Sequence, residues 1–331
     1  MGTKNVRTKK YIGNNEKFAD LCNYFLFDGR QVIHPEDLVE KDVTELGIPF
    51  TEKGSHTIEK IRDVLKSCTV KSANGVTYLV IGIENQTDVH YAMVVRNMVQ
   101  DSLNYAAQVE ALAKMHRKEK DLRGDEFLSG FSREDYLVPV VTIVLYWKAG
   151  AWDGPRSLHE MFRVKDKEIL KFVPDYRMNL IVPEEITDFS KFATRLGAVL
   201  EYCQCSGDKE RMKHLKETRK KDGFFLDRES VEVLNECVNA GIKLPEQEGE
   251  IDMCKAMEGL IADGRAEGRL EGRLEGRLEG RLEGEQLGRA RGEARMGKLV
   301  QILLSQNKIE EVMKVTTDEK VREEYYTLYQ I

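Results

Sequence analysis

The sequence predicts a mixed α/β fold with a helical C-terminal extension, and three observations carry that reading. An amphipathic helix precedes two β-prone runs joined through Asn74-Gly75, a long helix separates these from a third β-branched run, and beyond residue 260 the composition collapses into a four-residue repeat. The 331 residues correspond to about two domains, or to one with a long appendage. Five segments separate: a basic N-terminal arm over 1–13, an α/β core over 14–185, a charged helical region over 186–260, the repeat over 261–295, and short amphipathic helices over 296–331.

In the core, Phe18, Leu21, Cys22, Phe25 and Leu26 fall at i, i+3, i+4, i+7 and i+8. That spacing is one apolar helix stripe, with Asn14 or Asn15 as N-cap and Gly29 as terminator. Residues 63–70 and 76–84 read as two strands of a hairpin, because Asn-Gly between β-prone runs favours the tight turn. The second strand is almost continuously apolar and belongs at a sheet centre, covered on both faces. A helix is expected from about 92 to 115. Residues 138–147, VPVVTIVLYW, form a further strand, with Trp147 and Trp152 as packing residues beside Gly150.

Composition removes several function classes. Apolar residues make up 41% of the chain, enough for a sizeable core, and the 33% charged fraction predicts long solvated faces. No run approaches the ~18 apolar residues of a membrane span. The N-terminus lacks an apolar signal region, and Val6 breaks the myristoylation pattern, so a soluble, unexported, cytoplasmic protein is expected. A net charge of −6 excludes a globally basic nucleic-acid coat but permits a local basic face. The six cysteines are scattered, with only Cys203 and Cys205 close, so reduced and mostly buried thiols are expected rather than a zinc site. There is no HExxH, no P-loop and no GxGxxG after a strand.

The most informative feature is a buried strand that ends on a carboxylate. Buried charge is costly unless paired or metal-bound, so Glu84 requires a partner. Residues two apart on a strand share a face, which puts Gln86 with Glu84, and the hairpin brings Asp63 to the same open end. Two carboxylates, with the backbone carbonyl of Asn85 between Glu84 and Gln86, form an oxygen set suited to Mg²⁺ or Mn²⁺. The plainer alternative stays open: Glu84 pairs with Arg96 as an ordinary ion pair, and Asp63 flanks Arg62.

This order of residues resembles the PD-(D/E)XK phosphodiesterase superfamily, where an Asp and a hairpin precede Glu-x-Lys on the second strand. More closely, residues 14–182 are similar to the recombination-promoting nuclease family, also called YhgA-like transposases. The stretches NNEKFADLCNYFLFDG, YLVIGIENQTDVHYAMVVRNMVQDSLNY, PVVTIVLYWKAGAWDGPRSLHEMF and ILKFVPDYRMNLI carry that resemblance in family order. It implies a restriction-endonuclease-like core, a mixed central sheet flanked by helices, and a Mg²⁺- or Mn²⁺-dependent DNA endonuclease. Asp63 and Glu84 match its metal-binding acids, and Gln86 the position that orients water or steadies the transition state. Arg96 and Tyr105 match polar positions on the helix behind the site, with Gln100 and Asp101 between them. Gln86 stands where the superfamily has Lys, and an amide lacks the positive charge an ammonium offers a developing phosphorane. The rival expectation is a decayed nuclease fold that binds DNA or assembles without catalysis.

Two further regions bear on partners. Residues 209–223 carry seven Lys or Arg against three acids, and Lys213, Lys216, Arg219 and Lys220 are the expected DNA-phosphate contacts. Lys114, Arg117, Lys118, Lys120 and Arg123 form a second basic cluster; a solvated helix face explains either run equally. From Arg265 to Gly284 the chain repeats Gly-Arg-Leu-Glu, with Leu270, Leu274, Leu278 and Leu282 every fourth residue. Each Leu is turned about 40° from the last, so a partnered helix here would coil right-handed. Glycine every fourth residue costs ~1 kcal/mol each relative to alanine, which leaves either a spacer or a helix stabilised in a homo-oligomer. The apolar spacing at Met296, Leu299, Val300, Leu303 and Leu304 begins the terminal helices, a docking module or weak helix-turn-helix.

Overall fold

Five strands form the central sheet of the computed structural model, which describes residues 3–41, 44–47, 58–61, 63–72, 75–221, 223–246 and 249–331. The chain opens with α1 (Thr3–Gly13) and α2 (Asn15–Phe27), then β1 (Leu38–Glu40), β2 (Thr44–Gly47), β3 (Ile58–Ile61), β4 (Val64–Ser72) and β5 (Gly75–Gln86). Helices α3 (Met93–Glu119) and α4 (Gly124–Ser129) lead to β6 (Val140–Tyr146), and α5 (Leu158–Met161) and α6 (Lys167–Leu170) to β7 (Asn179–Ile181). The elements α7 (Leu196–Cys205), α8 (Lys209–Arg219), β8 (Phe225–Leu226), α9 (Arg228–Val238) and β9 (Ile251–Asp252) follow, then α10 (Met253–Ser305), α11 (Ile309–Thr317) and α12 (Glu319–Tyr329).

Sheet order is β1-β4-β5-β6-β7, so the expected central strand is central. Strands β1, β4 and β5 pair antiparallel, whereas β5, β6 and β7 run parallel. A parallel pair cannot be joined by a tight turn, and α3 supplies the crossover from β5 to β6. The core is therefore a mixed α/β arrangement in the order α2, β1, β4, β5, α3, β6, with the separate β2–β3 pair inserted between β1 and β4. Ser72 pairs with Gly75, closing the hairpin over residues 73 and 74; the expected Asn74 turn position lies outside the described residues, as does Arg62.

The two faces of this sheet differ. Ile81 and Ile83 of β5, with Ile143 and Leu145 of β6, are buried on the side that α1 and α2 cover, and each such side chain contributes about 1.5–3 kcal/mol. Helix α2 has the predicted apolar stripe: Phe18, Leu21 and Cys22 are fully buried. Asn14 is its N-cap, accepting from the amides of Glu16 and Lys17. The helix ends with Asp28 in the left-handed region and Gly29 at φ 83°. On the other face, under α3, a cluster of Met93, Val94, Val144, Tyr146, Trp152, Met178 and Val182 occupies one end only.

The basic N-terminal segment is not a free arm. Its described residues form α1, with Tyr11 and Ile12 buried and the Tyr11 hydroxyl 2.9 Å from that of Ser230 on α9. Arg7 faces Glu232 and Glu236, and Lys10 faces Glu229. The expected boundaries after 13 and 185 thus fall inside one unit, Met1–Glu258. The six cysteines are free thiols, five of them buried. No helix among the described residues is long and apolar enough to cross a membrane.

The second unit, Gly259–Ile331, has its own small core. Leu299 and Leu303 of α10 pack with Val315 of α11 and Tyr326 of α12. Arg295 lies over the Tyr326 ring, 4.0 Å from its centroid, and donates from Nε to the carbonyl of Ile331. The repeat is helical throughout, and Leu270, Leu274, Leu278 and Leu282 are 51–60% exposed.

Candidate active site

Register places the expected residues. Val64 pairs with Ile83, so Asp63, one residue before β4, stands beside Glu84 at the same end of β5. Both are buried, at 5% and 0% exposure. The backbone N–H of Asn85 donates to Oδ2 of Asp63 over 2.8 Å. The N–H and C=O of one strand residue point to the same side, so the Asn85 carbonyl is also directed toward the β4 side. The Asn85 side chain leaves on the opposite face, where Oδ1 accepts from Nε1 of Trp147 at 3.0 Å. Gln86 is half-buried on the face of Glu84, and its carbonyl accepts from the Trp147 amide.

Helix α3 lies behind these strands and turns a polar stripe inward. Gln100 donates from Nε2 to Oε1 of Glu84 at 3.0 Å, and Nη2 of Arg96 is 3.1 Å from Oε2. The ion pair expected from the plainer alternative is therefore present. Asp101 accepts from the hydroxyls of Thr142 at 2.6 Å and Tyr176 at 2.5 Å. The Tyr105 hydroxyl accepts from the Val140 amide, so Tyr105 braces the start of β6 rather than facing the carboxylates. Gln108 does likewise through both amide atoms, to the N–H and C=O of Val138. Asn97 and Gln100 are fully buried, and neither amide atom of Asn97, nor Oε1 of Gln100, has a hydrogen-bond partner among the described residues. Such orphaned groups cost about 1–3 kcal/mol each.

The donors fit a hard divalent cation. Two carboxylates and a backbone carbonyl converge at one sheet end, with no thiol or imidazole among them, and oxygen-only sets suit Mg²⁺ or Mn²⁺ rather than zinc. The orphaned amides of α3 line the same polar layer, where burial without function would be an unrelieved loss of stability.

Two buried features escaped the sequence reading. Lys66 of β4 is fully buried on the face opposite Glu84, donating to the carbonyl of Gly13 at 2.5 Å and to Oδ1 of Asn15, with Glu40 at 3.6 Å. Burial lowers its pKa, against the pull of Glu40. At the far end of α3, His116 faces Asp121 with Nδ1 and Asp135 with Nε2, each at 2.9 Å. The hydrogen bond to Asp121 raises the His116 pKa most, burial opposes it, and Asp135 adds to the rise. His116, Glu119 and Asp121 are close enough to hold a metal ion, but both ring nitrogens of His116 are already engaged by Asp121 and Asp135. A single Lys within a β-prone run, or a lone His in a basic stretch, carries no signal of either role.

The expected phosphate contacts divide. Lys216 pairs with Glu258 at 2.8 Å and Arg219 with Glu201 at 2.6 Å, so the fold already engages both. Lys213 and Lys220 are exposed. Comparison with known proteins returned no match, whether to family models, to curated proteins or to solved structures.

Proposed function

We propose that this protein is a divalent-metal-dependent DNA endonuclease with a PD-(D/E)XK-type core, of the recombination-promoting nuclease kind. The observation that carries the reading is the junction of Asp63, Glu84 and the Asn85 backbone at one end of an antiparallel pair, backed by a helix. The order of the core supports it: a helix, three antiparallel strands with the β2–β3 pair inserted after the first, a helix and a parallel strand. Asp63 and Glu84, with the Asn85 carbonyl, would hold Mg²⁺ or Mn²⁺, which supplies phosphate polarisation and a more acidic bound water. Asp63 is oriented by the Asn85 amide and Glu84 by Gln100, so neither carboxylate rotates freely. Gln86 can orient the attacking water by its amide but adds no charge.

Plasmid nicking in Mg²⁺ or Mn²⁺ tests the reading. The wild-type protein nicks; Asp63→Ala and Glu84→Ala do not, while their circular dichroism and melting stay close to wild type. Unchanged nicking by either variant removes the assignment. The Glu84–Arg96 pair favours one second reading, a decayed nuclease fold that binds DNA without cutting, and wild-type protein that binds but never nicks would establish it.

A second copy of this chain is the partner the repeat fits. Around the helix, Arg and Glu stand about 100° on either side of each Leu, with Gly opposite. Positions flanking a shared stripe meet unlike positions in a parallel pair and like positions in an antiparallel one, so Arg meets Glu only in the parallel arrangement. Within one helix the perfect tetrad sets Arg four residues from Arg. The ion pairs Arg281–Glu285 and Arg289–Glu293 form where the repeat breaks register. Replacing Leu270, Leu274, Leu278 and Leu282 by Ser should shift sedimentation from dimer toward monomer; equal sedimentation would make the repeat a spacer.

A further inference from the structure

We infer that Arg96 is the substrate-binding cation of this site, held on Glu84 in the metal-free protein and turned to a phosphate oxygen of the nucleic acid once the site is loaded. The inference rests on the metal-site reading above and extends it to a residue whose pair with Glu84 otherwise looks purely structural. Three observations carry it. Glu84 is fully buried, whereas the side chain of Arg96, 3.1 Å away, is 34% exposed, so the guanidinium bridges a buried carboxylate and solvent. Gln86, on the face of Glu84, is neutral, and the transition state of phosphodiester cleavage gathers negative charge that an amide does not offset. Arg96 lies in the first turn of α3, where the helix dipole disfavours a cation and no acidic residue stands, so local helix energetics do not account for it.

Charge balance gives the exchange its direction. A buried carboxylate needs a cation, and Arg96 meets that need while no metal is bound. With a divalent ion on the same carboxylate, the guanidinium is surplus charge there, and its planar fork matches two phosphate oxygens. Metal and Arg96 therefore compete for Glu84, while metal and substrate phosphate assist one another, a reciprocal coupling between two ligands of one site.

The test uses the full chain and measures Mn²⁺ binding by electron paramagnetic resonance, without turnover, together with binding of a DNA duplex in Ca²⁺. Arg96→Gln should bind Mn²⁺ about fivefold more tightly than wild type in the absence of DNA. The same variant should bind duplex more weakly and lose about one ion from the salt slope. Arg96→Lys, which keeps the charge but not the fork, should hold Mn²⁺ affinity near wild type while still weakening duplex binding, and serves if Arg96→Gln folds poorly. Mn²⁺ affinity that falls or stays level in Arg96→Gln, or duplex binding unchanged in both variants, overturns the inference and makes Arg96 a structural partner of Glu84. Wild-type protein that binds no Mn²⁺ removes the metal-site reading itself, and the role of Arg96 with it.

Discussion

The β4–β5 pair buries charge on both faces, and the two faces treat it differently. On the face toward α1 and α2, Lys66 sits among apolar side chains and is met by the end of α1, the start of α2 and Glu40. Its ammonium closes the C-terminus of α1 and ties the N-terminal helices to the sheet, a structural role. On the face toward α3, Glu84 sits in a polar layer with orphaned amides nearby, accepting from Gln100 and paired with Arg96, whose side chain reaches solvent. A buried charge that organises its neighbours reads as architecture. One set in a polar layer beside a partly exposed cation marks the candidate site.

The sharpest way to break this comparison is at Lys66. Lys66→Met should destabilise the protein by about 2–3 kcal/mol, because the half-buried acceptors at Gly13 and Asn15 lose their donor. Nicking per folded molecule should stay unchanged. Urea unfolding and plasmid assays at matched folded fraction check both halves; lost activity without lost stability would mean that the two faces are not separable. A smaller effect is expected at Gln86. Gln86→Lys introduces the superfamily's cation and should cleave as fast as wild type or faster, with little change in melting temperature. A folded but inactive Gln86→Lys protein would assign the amide a dedicated role.

The smallest effect tests whether the far end of α3 belongs to the architectural class. The raised pKa of His116 means that its contribution is fully present below the unfolded value of about 6.5, and is lost as pH rises through the folded value. Asp121 is depressed, chiefly by the same hydrogen bond, so its contribution is present above about 3.9 and lost as pH falls through the folded value. The difference in melting temperature between wild type and His116→Gln should therefore be greatest near pH 5–6 and shrink as pH rises beyond the unfolded value of about 6.5. A difference that grows with pH would mean that His116 is held neutral.

Strong local patterns carried most of what was legible beforehand. The stripe of Phe18, Leu21 and Cys22 and the apolar run before Glu84 have a helical period and a buried-strand composition, and both elements lie where expected. Asp63 and Glu84 meet because hairpin register is local. What stayed hidden depends on distant partners. β1 and β7 are three residues each, too short for any periodicity. The parallel pairing of β5 with β6 is a property of the crossover, not of either strand. Helix α1 reads as a basic arm because its apolar burial, among the described residues, rests on Tyr11 and Ile12 and its cations answer acids on α9, more than two hundred residues away. The polar stripe of α3 at Asn97, Gln100, Asp101, Tyr105 and Gln108 is visible in the sequence, but such a stripe ordinarily marks the wet side of a helix.

The two tryptophans are divided between the same two faces. Trp147 packs edge-on against Tyr11 and donates to the Asn85 side chain, while Trp152 packs edge-on against Tyr146 beneath α3. Each face thus carries its own fluorophore. With Trp152→Phe the remaining emission reports on the side chain of the very residue whose backbone orients Asp63, and with Trp147→Phe it reports on the layer under α3. Light alone is then enough to time the assembly of the two faces separately, and to see whether loading the site is felt through Asn85 on the far side of the sheet.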